Sequence, residues 1–538
     1  MSARWFFISV FAALAVAAAV RGLVVQERGR APNVLLMTVE GMRADAISAE
    51  TTPMLWQRLP RAYYFTEHRT VSAWTASNIV SILTGVPPFE HGVHTRGNSV
   101  PPDLQVPLDA LTAAGWQIGG LQPFMQVNLY QGLGLAIDPG RDVRRWMATR
   151  ATTRTPFFLW HHYLDTHLPY APSAPFMPDS SLRPTDPDVA QRISAVMTRG
   201  AIAAGSMAFQ PEDSLYTRRL FDGGFREFDA WFDDLWQFLE RGGLDANTIV
   251  ILTADHGEEV LERGNVGHAS TTGDGHLHEE IVRAPLIIWL PQHLEPPDLP
   301  RTIDQMTSHV DVMPTVAALA GVKPARSFRG RNVLEPLPER TWMGATSKGG
   351  FVEEDPENVE VFRFAAVRGR WKLHLELSSG EPTGWRLFDL EADPGERVDL
   401  ASTHPEVVEE LGVPLLARAQ SMRPPHTPEA GSMASATVPE WVFPDRDGIL
   451  RYDDLAGRFR LEWTGPEDGQ YVIEYEAGEG ESLLAGELHA TGNVKDFGVI
   501  SRRYWNTWLV PLRTFRVRVS PAGTGPFWSP WRRLEAAE

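Results

Sequence analysis

Residues 72–85 of the chain read Ser-Ala-Trp-Thr-Ala-Ser-Asn-Ile-Val-Ser-Ile-Leu-Thr-Gly. The apolar residues of the second half recur at helical spacing, and Gly85 closes the run, which predicts a buried helix with Thr75 at or beside its start. A helix start carries unpaired N–H groups and the positive end of the helix dipole, so it favours an anion. Thr75 is therefore either a simple helix cap or a nucleophile, and the second role needs a metal or a base from elsewhere in the fold.

The composition limits the architecture and the partners of this chain. Its 538 residues are too many for one hydrophobic core and predict two or three domains. The 68 acidic side chains outnumber the 50 basic ones and give a net charge of −18, which argues against nucleic acid as a partner. The absence of cysteine excludes disulfides, thiolate metal sites and a cysteine nucleophile.

The first 25 residues form a hydrophobic segment of their own. Arg4 precedes an apolar run from Trp5 to Val20, and Arg21 follows it. A positive start, an apolar middle and small residues near the end are typical of a secretory signal peptide or a short membrane anchor. We therefore expect an exported protein, located in the periplasm, at the cell envelope or outside the cell, with membrane contact only through this segment.

Two buried strands are predicted far apart in the sequence. Residues 33–39 and 247–253 are apolar runs with β-branched side chains, which are typical of strands covered on both faces. The first run ends at Glu40, and the second ends just before Asp255 and His256. Because ligands of open α/β sheets collect beyond the carboxyl ends of the strands, we expect these three side chains to converge with the predicted helix start.

The four converging side chains form a candidate metal site. Carboxylate oxygens and imidazole nitrogens suit Zn²⁺ or Mn²⁺, the ions that we favour, with Ca²⁺ or Mg²⁺ as alternatives. A metal-bound threonine oxygen has a lowered pKa and is prepared for attack. We predict one divalent ion held by Glu40, Thr75, Asp255 and His256.

Ten further segments between residue 32 and about residue 405 form one set of motifs. They are Pro32-Asn33-Val34-Leu35-Leu36, Arg43-Ala44-Asp45, Ser81-Ile82-Leu83-Thr84-Gly85, His91-Gly92-Val93, residues 157–170, residues 253–258, Ala284-Pro285-Leu286-Ile287-Ile288, Asp311-Val312-Met313-Pro314-Thr315, residues 369–373 and residues 387–396. Together these segments resemble the sulfatase-like branch of the alkaline phosphatase superfamily. The resemblance implies an α/β fold whose central sheet is flanked by helices, with a catalytic core at residues 31–335 and a C-terminal subdomain at 336–420.

The chain departs from true sulfatases at the nucleophile position. Those enzymes begin their signature with a cysteine or serine that is converted to formylglycine and followed by Pro-x-Arg. Thr75 stands at this position, and Ile79 stands where the arginine would be. Since threonine cannot become formylglycine, the predicted metal site resembles instead the single-metal site of lipoteichoic acid synthases and phosphoethanolamine transferases, which use a threonine.

The resemblance also suggests roles for residues around the predicted site. His167 is the candidate acid for the leaving group, and His268 is a candidate contact to the phosphate or sulfate oxygens. Thr166 stands where the family has a proline. His162 and Asn98 are candidates for substrate binding, with a hydrogen-bonded core histidine and a loop residue as their respective alternatives.

The chemistry of threonine favours phosphoryl transfer. A phosphorylated threonine is released readily by activated water, whereas a sulfated threonine lacks the elimination route of a formylglycine hydrate. We predict a metal-dependent hydrolase of phosphate or sulfate esters, with phosphoesters preferred. The alternatives are a phosphoethanolamine-type or phosphoglycerol-type transferase and an inactive binding protein with the same fold. The expected partner is an anionic ester, with an envelope lipid or a polysaccharide as the candidate source.

The glycine-rich segment before residue 279 contains Asp274, His276 and His278. These side chains suggest either a second metal site or a mobile loop over the first one. The sequence leaves the two interpretations open.

The end of the chain changes in character. Residues 421–444 are proline-rich and predict a linker, and residues 445–538 alternate apolar and polar side chains with a period of two. The pattern predicts a β-sandwich that loosely resembles a fibronectin type III domain. Trp505, Trp508 and Trp528 are either a sugar-binding platform or, more simply, part of the sandwich core.

Overall fold

The structure is a computed structural model. It describes residues 31–95, 98–121, 132–135, 142–179, 210–269, 275–348 and 361–424, apart from positions 152, 154, 169, 324 and 337, and it describes shorter stretches between 439 and 537. The predicted N-terminal segment, most of the linker, Asp274, Trp505, Trp508 and Trp528 lie outside these residues. Within the described part of the chain, no helix has both the length and the apolar character needed to cross a membrane.

Strands and helices alternate through the catalytic region. The strands are β1 (Asn33–Val39), β2 (Tyr63–Phe65), β3 (His68–Arg69), β4 (Gln117–Leu121), β5 (Phe157–Tyr163), β6 (Thr248–Ala254), β7 (Glu259–Val260), β8 (Val266–Gly267), β9 (Leu286–Trp289), β10 (Thr302–Ile303) and β11 (Thr307–Ser308). The α-helices are α1 (Pro53–Arg58), α2 (Thr75–Thr84), α3 (Pro88–His91), α4 (Pro107–Ala113), α5 (Val143–Ala151), α6 (Ser214–Arg241), α7 (Glu279–Val282) and α8 (Val312–Ala320).

A seven-stranded mixed sheet forms the centre, in the order β10-β2-β9-β6-β1-β5-β4. β1 lies between β5 and β6 and is parallel to both, whereas β9 is antiparallel to β2 and β6. Every residue of β1 and β6 is buried, which confirms the two buried strands predicted from the sequence. Val39 pairs with both Tyr163 and Ala254, so the three strands end side by side.

Helices cover both faces of this sheet. Alternate side chains of β1 point to opposite faces: Leu35 and Met37 join one core with the aromatic side of α6, and Val34 and Leu36 join the other with α2. Two hydrophobic layers therefore enclose the sheet. The predicted α/β fold, with its central sheet flanked by helices, is confirmed.

A four-stranded antiparallel sheet follows the core. Its strands β12 (Trp342–Ser347), β13 (Val361–Arg368), β14 (Trp371–Ser378) and β15 (Glu381–Asp389) lie in chain order, and α9 (Pro405–Gln420) packs on one face. The main-chain N–H of Ala345 donates to the carbonyl of Val71 at 2.9 Å, and the Trp342 indole donates to the carbonyl of Thr70 at 3.0 Å. The subdomain thus holds the segment that leads into α2.

The described C-terminal residues form two further sheets, β16-β18-β21 and β17-β23-β22-β19-β20. Trp463 and Tyr471 join them, because their rings lie 5.3 Å apart and belong to different sheets. The predicted C-terminal β-structure is present, and its likeness to fibronectin type III stays a prediction. The strands are β16 (Trp441–Phe443), β17 (Gly448–Arg451), β18 (Arg458–Trp463), β19 (Gln470–Ala477), β20 (Leu484–Thr491), β21 (Val494–Val499), β22 (Thr514–Pro521) and β23 (Arg532–Ala537).

A carboxylate on α6 anchors the start of α1. The two oxygens of Asp229 accept hydrogen bonds from the main-chain N–H groups of Met54 and Leu55, each at 2.8 Å. Asp229→Ala removes both acceptors, so we expect the free energy of unfolding to fall by about 1–2 kcal/mol. Urea unfolding followed by circular dichroism measures the loss.

The control for this variant is Asp234→Ala, on the same helix but exposed. A surface substitution of this kind changes stability by less than about 0.5 kcal/mol. Equal losses in the two variants would contradict the anchoring role of Asp229.

Candidate active site

Thr75 is the first residue of α2 and is not its cap. The N-cap is Trp74, and no side chain caps the helix. The Thr75 hydroxyl lies 3.2 Å from Nε2 of His256, and Thr75 is partly accessible although the rest of α2 is buried. The capping interpretation of Thr75 is therefore wrong, and its hydroxyl faces the carboxyl edge of the central sheet.

Asn78 fixes the turn that precedes this hydroxyl. Its side-chain oxygen accepts from the N–H groups of Val71 and Ser72 at 3.1 and 3.0 Å, and its amide donates to the carbonyl of Ser72 at 2.7 Å. His309 lies 3.1 Å from the Asn78 oxygen and 3.0 Å from the carbonyl oxygen of Ala254, at the end of β6. The start of α2 is thereby tied to the strand that leads to Asp255.

The four predicted metal ligands meet at this edge. Nε2 of His256 lies 3.4 Å from Oε1 of Glu40 and 3.3 Å from Oδ2 of Asp255, in addition to its contact with Thr75. Gly41 follows Glu40 in a left-handed conformation, with φ 65°, and its N–H donates to Oδ1 of Asp255 at 3.1 Å. The turn after β1 therefore engages one Asp255 oxygen and leaves the other for the cluster.

The donor atoms suit a divalent cation. Oε1 of Glu40 and Oδ2 of Asp255 are buried and have no hydrogen-bond partner in the part of the chain that the structure describes. Burial and the adjacent Asp255 carboxylate raise the pKa of Glu40, whereas the nearby His256, His162 and His268 lower the pKa of Asp255 against the effect of its own burial. Two unpartnered buried carboxylate oxygens are costly without a positive charge between them, so the residues fit a bound ion.

The histidines of the site share one hydrogen-bonding pattern. In His256, His268 and His167, Nδ1 is within hydrogen-bonding distance of an acceptor, which orients each ring. The acceptors are the carbonyl of Gly257 for His256 at 2.9 Å, Oε1 of Glu258 for His268 at 2.8 Å, and the carbonyl of Leu168 for His167 at 2.7 Å.

His167 and His268 flank the predicted metal ligands. The His268 ring centre lies 4.0 Å from that of His256 and 5.4 Å from that of His167. Nε2 of His167 lies 4.0 Å from Oε1 of Glu40. The structure therefore places both candidates beside Glu40 and His256.

Two supporting residues were missed by the sequence reasoning or lacked a role in it. Glu258 is buried, and its two oxygens bind Nδ1 of His268 and the hydroxyl of Tyr170. Thr166, which replaces the family proline, donates to the carbonyl of Glu40 at 2.6 Å. Glu258 ends the motif that begins with Asp255, and this position was the only signal that could have identified it.

The contacts of His162 favour its alternative role as a hydrogen-bonded core histidine, and its substrate-binding role stays a prediction. Its ring is fully buried, with Nδ1 2.8 Å from the Thr38 hydroxyl and Nε2 3.1 Å from Oε2 of Glu40. Both nitrogens are therefore engaged, and His162 orients Glu40 from behind. His161 points to the other face of β5, where its ring lies 5.3 Å from that of Trp231.

Asn98 supports a loop after α3. Its side-chain oxygen accepts from the N–H groups of His94 and Thr95, at 2.9 and 3.0 Å. The His94 ring lies 3.2 Å from the carbonyl oxygen of Arg423. These contacts favour the loop role, and the substrate-binding role of Asn98 stays a prediction.

Two family patterns match the chain. The pattern described as "Sulfatase" matches residues 141–322, and the one described as "N-sulphoglucosamine sulphohydrolase, C-terminal" matches residues 274–420. The first match includes Asp255 and His256 but begins after α2. The match therefore covers part of the central sheet and two of the predicted metal ligands, and it does not cover Thr75.

Individual relatives agree with these patterns. Human arylsulfatase A is 30% identical over 227 residues, which cover 37% of this chain and 43% of that protein. An uncharacterized sulfatase of Schizosaccharomyces pombe is 32% identical over 146 residues, or 26% of each chain. The matches thus span less than half the length of these curated relatives.

A solved structure extends the likeness over most of the chain. The phosphonate monoester hydrolase of Agrobacterium radiobacter has a TM-score of 0.56 to this chain, with 18% identity, and covers 73% of this chain and 96% of its own. At this level of identity the likeness concerns the fold.

The position of His162 behind Glu40 generates a prediction about metal affinity. Removal of a side chain that orients a metal ligand typically weakens metal binding by about 10- to 100-fold. We expect a loss of this size in His162→Ala, measured by titrating Mn²⁺ into chelator-treated protein in a calorimeter.

The matched control is His161→Ala, one position away on the opposite face of the same strand. This variant removes a partly buried ring of the same size but should keep the affinity of the wild type. Equal affinities in His162→Ala and the wild type would exclude the orienting role.

Proposed function

Because the chain belongs to the sulfatase family, within the sulfatase and alkaline phosphatase superfamily, we propose that it is a metal-dependent ester hydrolase whose nucleophile is Thr75. One observation carries the proposal. The partly exposed Thr75 lies 3.2 Å from the ring of the buried His256, and the same ring nitrogen lies 3.4 and 3.3 Å from two buried carboxylate oxygens that have no hydrogen-bond partner among the described residues. This retained donor set argues against an inactive binding protein, because a site without function has no reason to keep such costly groups together.

The ion is assigned to Glu40, Thr75, Asp255 and His256. A divalent ion bound there supplies Lewis-acid chemistry, which lowers the pKa of a coordinated hydroxyl and offsets the negative charge of an ester. Members of the sulfatase family typically depend on Ca²⁺ or Mg²⁺. The imidazole donor of this set favours Zn²⁺ or Mn²⁺.

Thr75 carries the covalent chemistry in the proposed reaction. Its hydroxyl loses a proton to solvent, and the oxygen attacks the phosphorus or sulfur of the ester while the bond to the leaving-group oxygen breaks. Water then attacks the same atom, and the bond to Thr75 breaks and restores the hydroxyl. The net reaction is hydrolysis of one ester bond. Attack by an alcohol in the second step instead gives the alternative transferase.

His167 and His268 have separate proposed roles. His167 gives a proton to the leaving-group oxygen and regains one from the attacking water. Burial lowers the pKa of His167 in the free protein, so its protonated form needs the negative charge of a bound ester. His268, held by Glu258, presents Nε2 to the non-bridging oxygens.

We further propose that phosphoesters are preferred to sulfate esters. The support is Thr75 itself, since a phosphorylated threonine is released by activated water without the elimination available to formylglycine. The proposed substrate class is an anionic ester of an envelope lipid or polysaccharide, reached after export through the N-terminal segment, with the C-terminal fibronectin type III-like region holding the enzyme near it.

Thr75→Ala tests the nucleophile. Loss of the attacking oxygen should reduce kcat for every ester by at least about 1000-fold, as knockouts of catalytic nucleophiles do. Thr75→Ser keeps an oxygen and should retain measurable turnover. Thr84→Ala, at the other end of α2, is the control, because the Thr84 hydroxyl donates to the carbonyl of Val80 and accepts from the N–H of Val86, both at that end of the helix.

The assay uses aryl phosphate monoesters, phosphodiesters, phosphonate monoesters and sulfates with chelator-treated protein and added Zn²⁺, Mn²⁺, Ca²⁺ or Mg²⁺. We expect turnover only with an ion present and the highest kcat/KM on a phosphoester. Wild-type rates in Thr75→Ala would exclude the nucleophile, and a sulfate ester with the highest kcat/KM would reverse the proposed preference.

A further inference from the structure

A second cluster of metal-binding residue types lies between the catalytic core and the C-terminal subdomain. It consists of His278, at the N-terminus of α7, His374, on β14, and Glu396, after β15. It shares no residue with the Thr75 site. Side chains about 100 positions apart in the sequence thus come together at a domain junction.

Both imidazole rings lie next to the same oxygen of Glu396. Oε2 of Glu396 lies 2.6 Å from Nε2 of His374 and 3.0 Å from Nδ1 of His278, and the two imidazole centres lie 4.7 Å apart. The exposed fractions of His278, His374 and Glu396 are 3%, 6% and 5%. Their donor atoms all lie within 4.8 Å of one another, close enough for one ion to contact all three.

One of these donor atoms lacks a hydrogen bond among the described residues. Nδ1 of His278 is buried and lies 3.0 Å from Oε2 of Glu396, but it makes no hydrogen bond within the described part of the chain. Buried polar atoms in folded proteins nearly always have a partner. A buried imidazole nitrogen of this kind, beside a carboxylate and a second imidazole, is typical of metal ligands.

The other oxygen of Glu396, Oε1, is bound by neighbouring groups. Its Oε1 accepts from Nζ of Lys372 at 3.0 Å and from the N–H of Glu279 at 2.7 Å. Lys372 is fully buried and also bonds Glu279, so its charge is shared between two carboxylates. Glu396 itself has a left-handed backbone, with φ 52°, which a residue with a side chain adopts at a cost.

In a neighbouring cluster of Glu259, His276 and Glu280, groups from outside the cluster already bind both carboxylates. Glu280 is paired with Arg263, and Oε2 of Glu259 lies 2.9 Å from the His276 ring. The main-chain N–H of Arg263 donates to the other oxygen of Glu259 at 2.6 Å. The suggested metal set of Asp274, His276 and His278 is thus revised: His276 pairs with Glu259, and His278 joins a different group.

We propose that His278, His374 and Glu396 bind one Zn²⁺ ion that joins the catalytic core to the C-terminal subdomain. Two imidazoles and one carboxylate are an established zinc donor set, and the fourth position is available to water. A cavity of about 320 Å³ lies beside one of the three residues and is lined by His374, Arg363 and Arg386 among others. The ion ties His278 and α7 to the sheet that holds the segment before Thr75.

The test uses the full-length protein, stripped with a chelator and then supplied with Zn²⁺ alone. Zinc per chain is measured by mass spectrometry after removal of free metal, and the melting temperature is measured with and without zinc. Asp255→Asn, which weakens the Thr75 site, should retain one zinc. Asp255→Asn combined with His374→Gln should retain none, and the zinc-dependent rise of roughly 5 °C in Tm should disappear with it.

The control is Asp255→Asn combined with His404→Gln, a histidine of the same subdomain that lies against Trp371. It should keep its zinc and its Tm rise. Cobalt(II) added to Asp255→Asn should give the visible spectrum of a four-coordinate site with nitrogen and oxygen donors, which a misfolded chain would not give. Absence of zinc from Asp255→Asn, or unchanged zinc in the His374→Gln double variant, would overturn the proposal.

Discussion

The repulsion between two buried carboxylates is the constraint on which the candidate active site depends. Parallel pairing of β1 with β6 brings Glu40 and Asp255 to adjacent strand ends, where water does not screen them. The surrounding contacts each position or engage part of this pair, from the Gly41 N–H on Asp255 to the His162 ring on Glu40. The negative charge of these two carboxylates favours the binding of a cation between them.

The sequence predicted the sheet and much of the candidate site because both are encoded locally. A continuous apolar run identifies a strand buried on both faces, and the residue after it must lie at the sheet edge, which located Glu40, Asp255 and His256. Thr75 was harder to interpret, since a threonine at a helix start is usually a cap. Only the structure shows Trp74 in that position and the hydroxyl turned toward His256.

The rest required contacts that no local pattern encodes. The alternation of side chains along β5 placed His161 and His162 on opposite faces. The sequence does not reveal that Thr38 and Glu40 engage both nitrogens of His162. Glu258 has the same limitation, because its role depends on where a histidine ten positions later folds back. The group around Glu396 is the extreme case, since its members come from separate parts of the chain and match no spacing motif.

The hydrogen bonds from Trp342 and Ala345 to the segment before α2 also have a meaning for biosynthesis. A ribosome releases Thr70 and Val71 some 270 residues before their partners emerge. The carbonyls of Thr70 and Val71 therefore gain these two hydrogen bonds only after the start of the C-terminal subdomain has been synthesised. The turn before Thr75 is therefore completed only after β12 has left the ribosome.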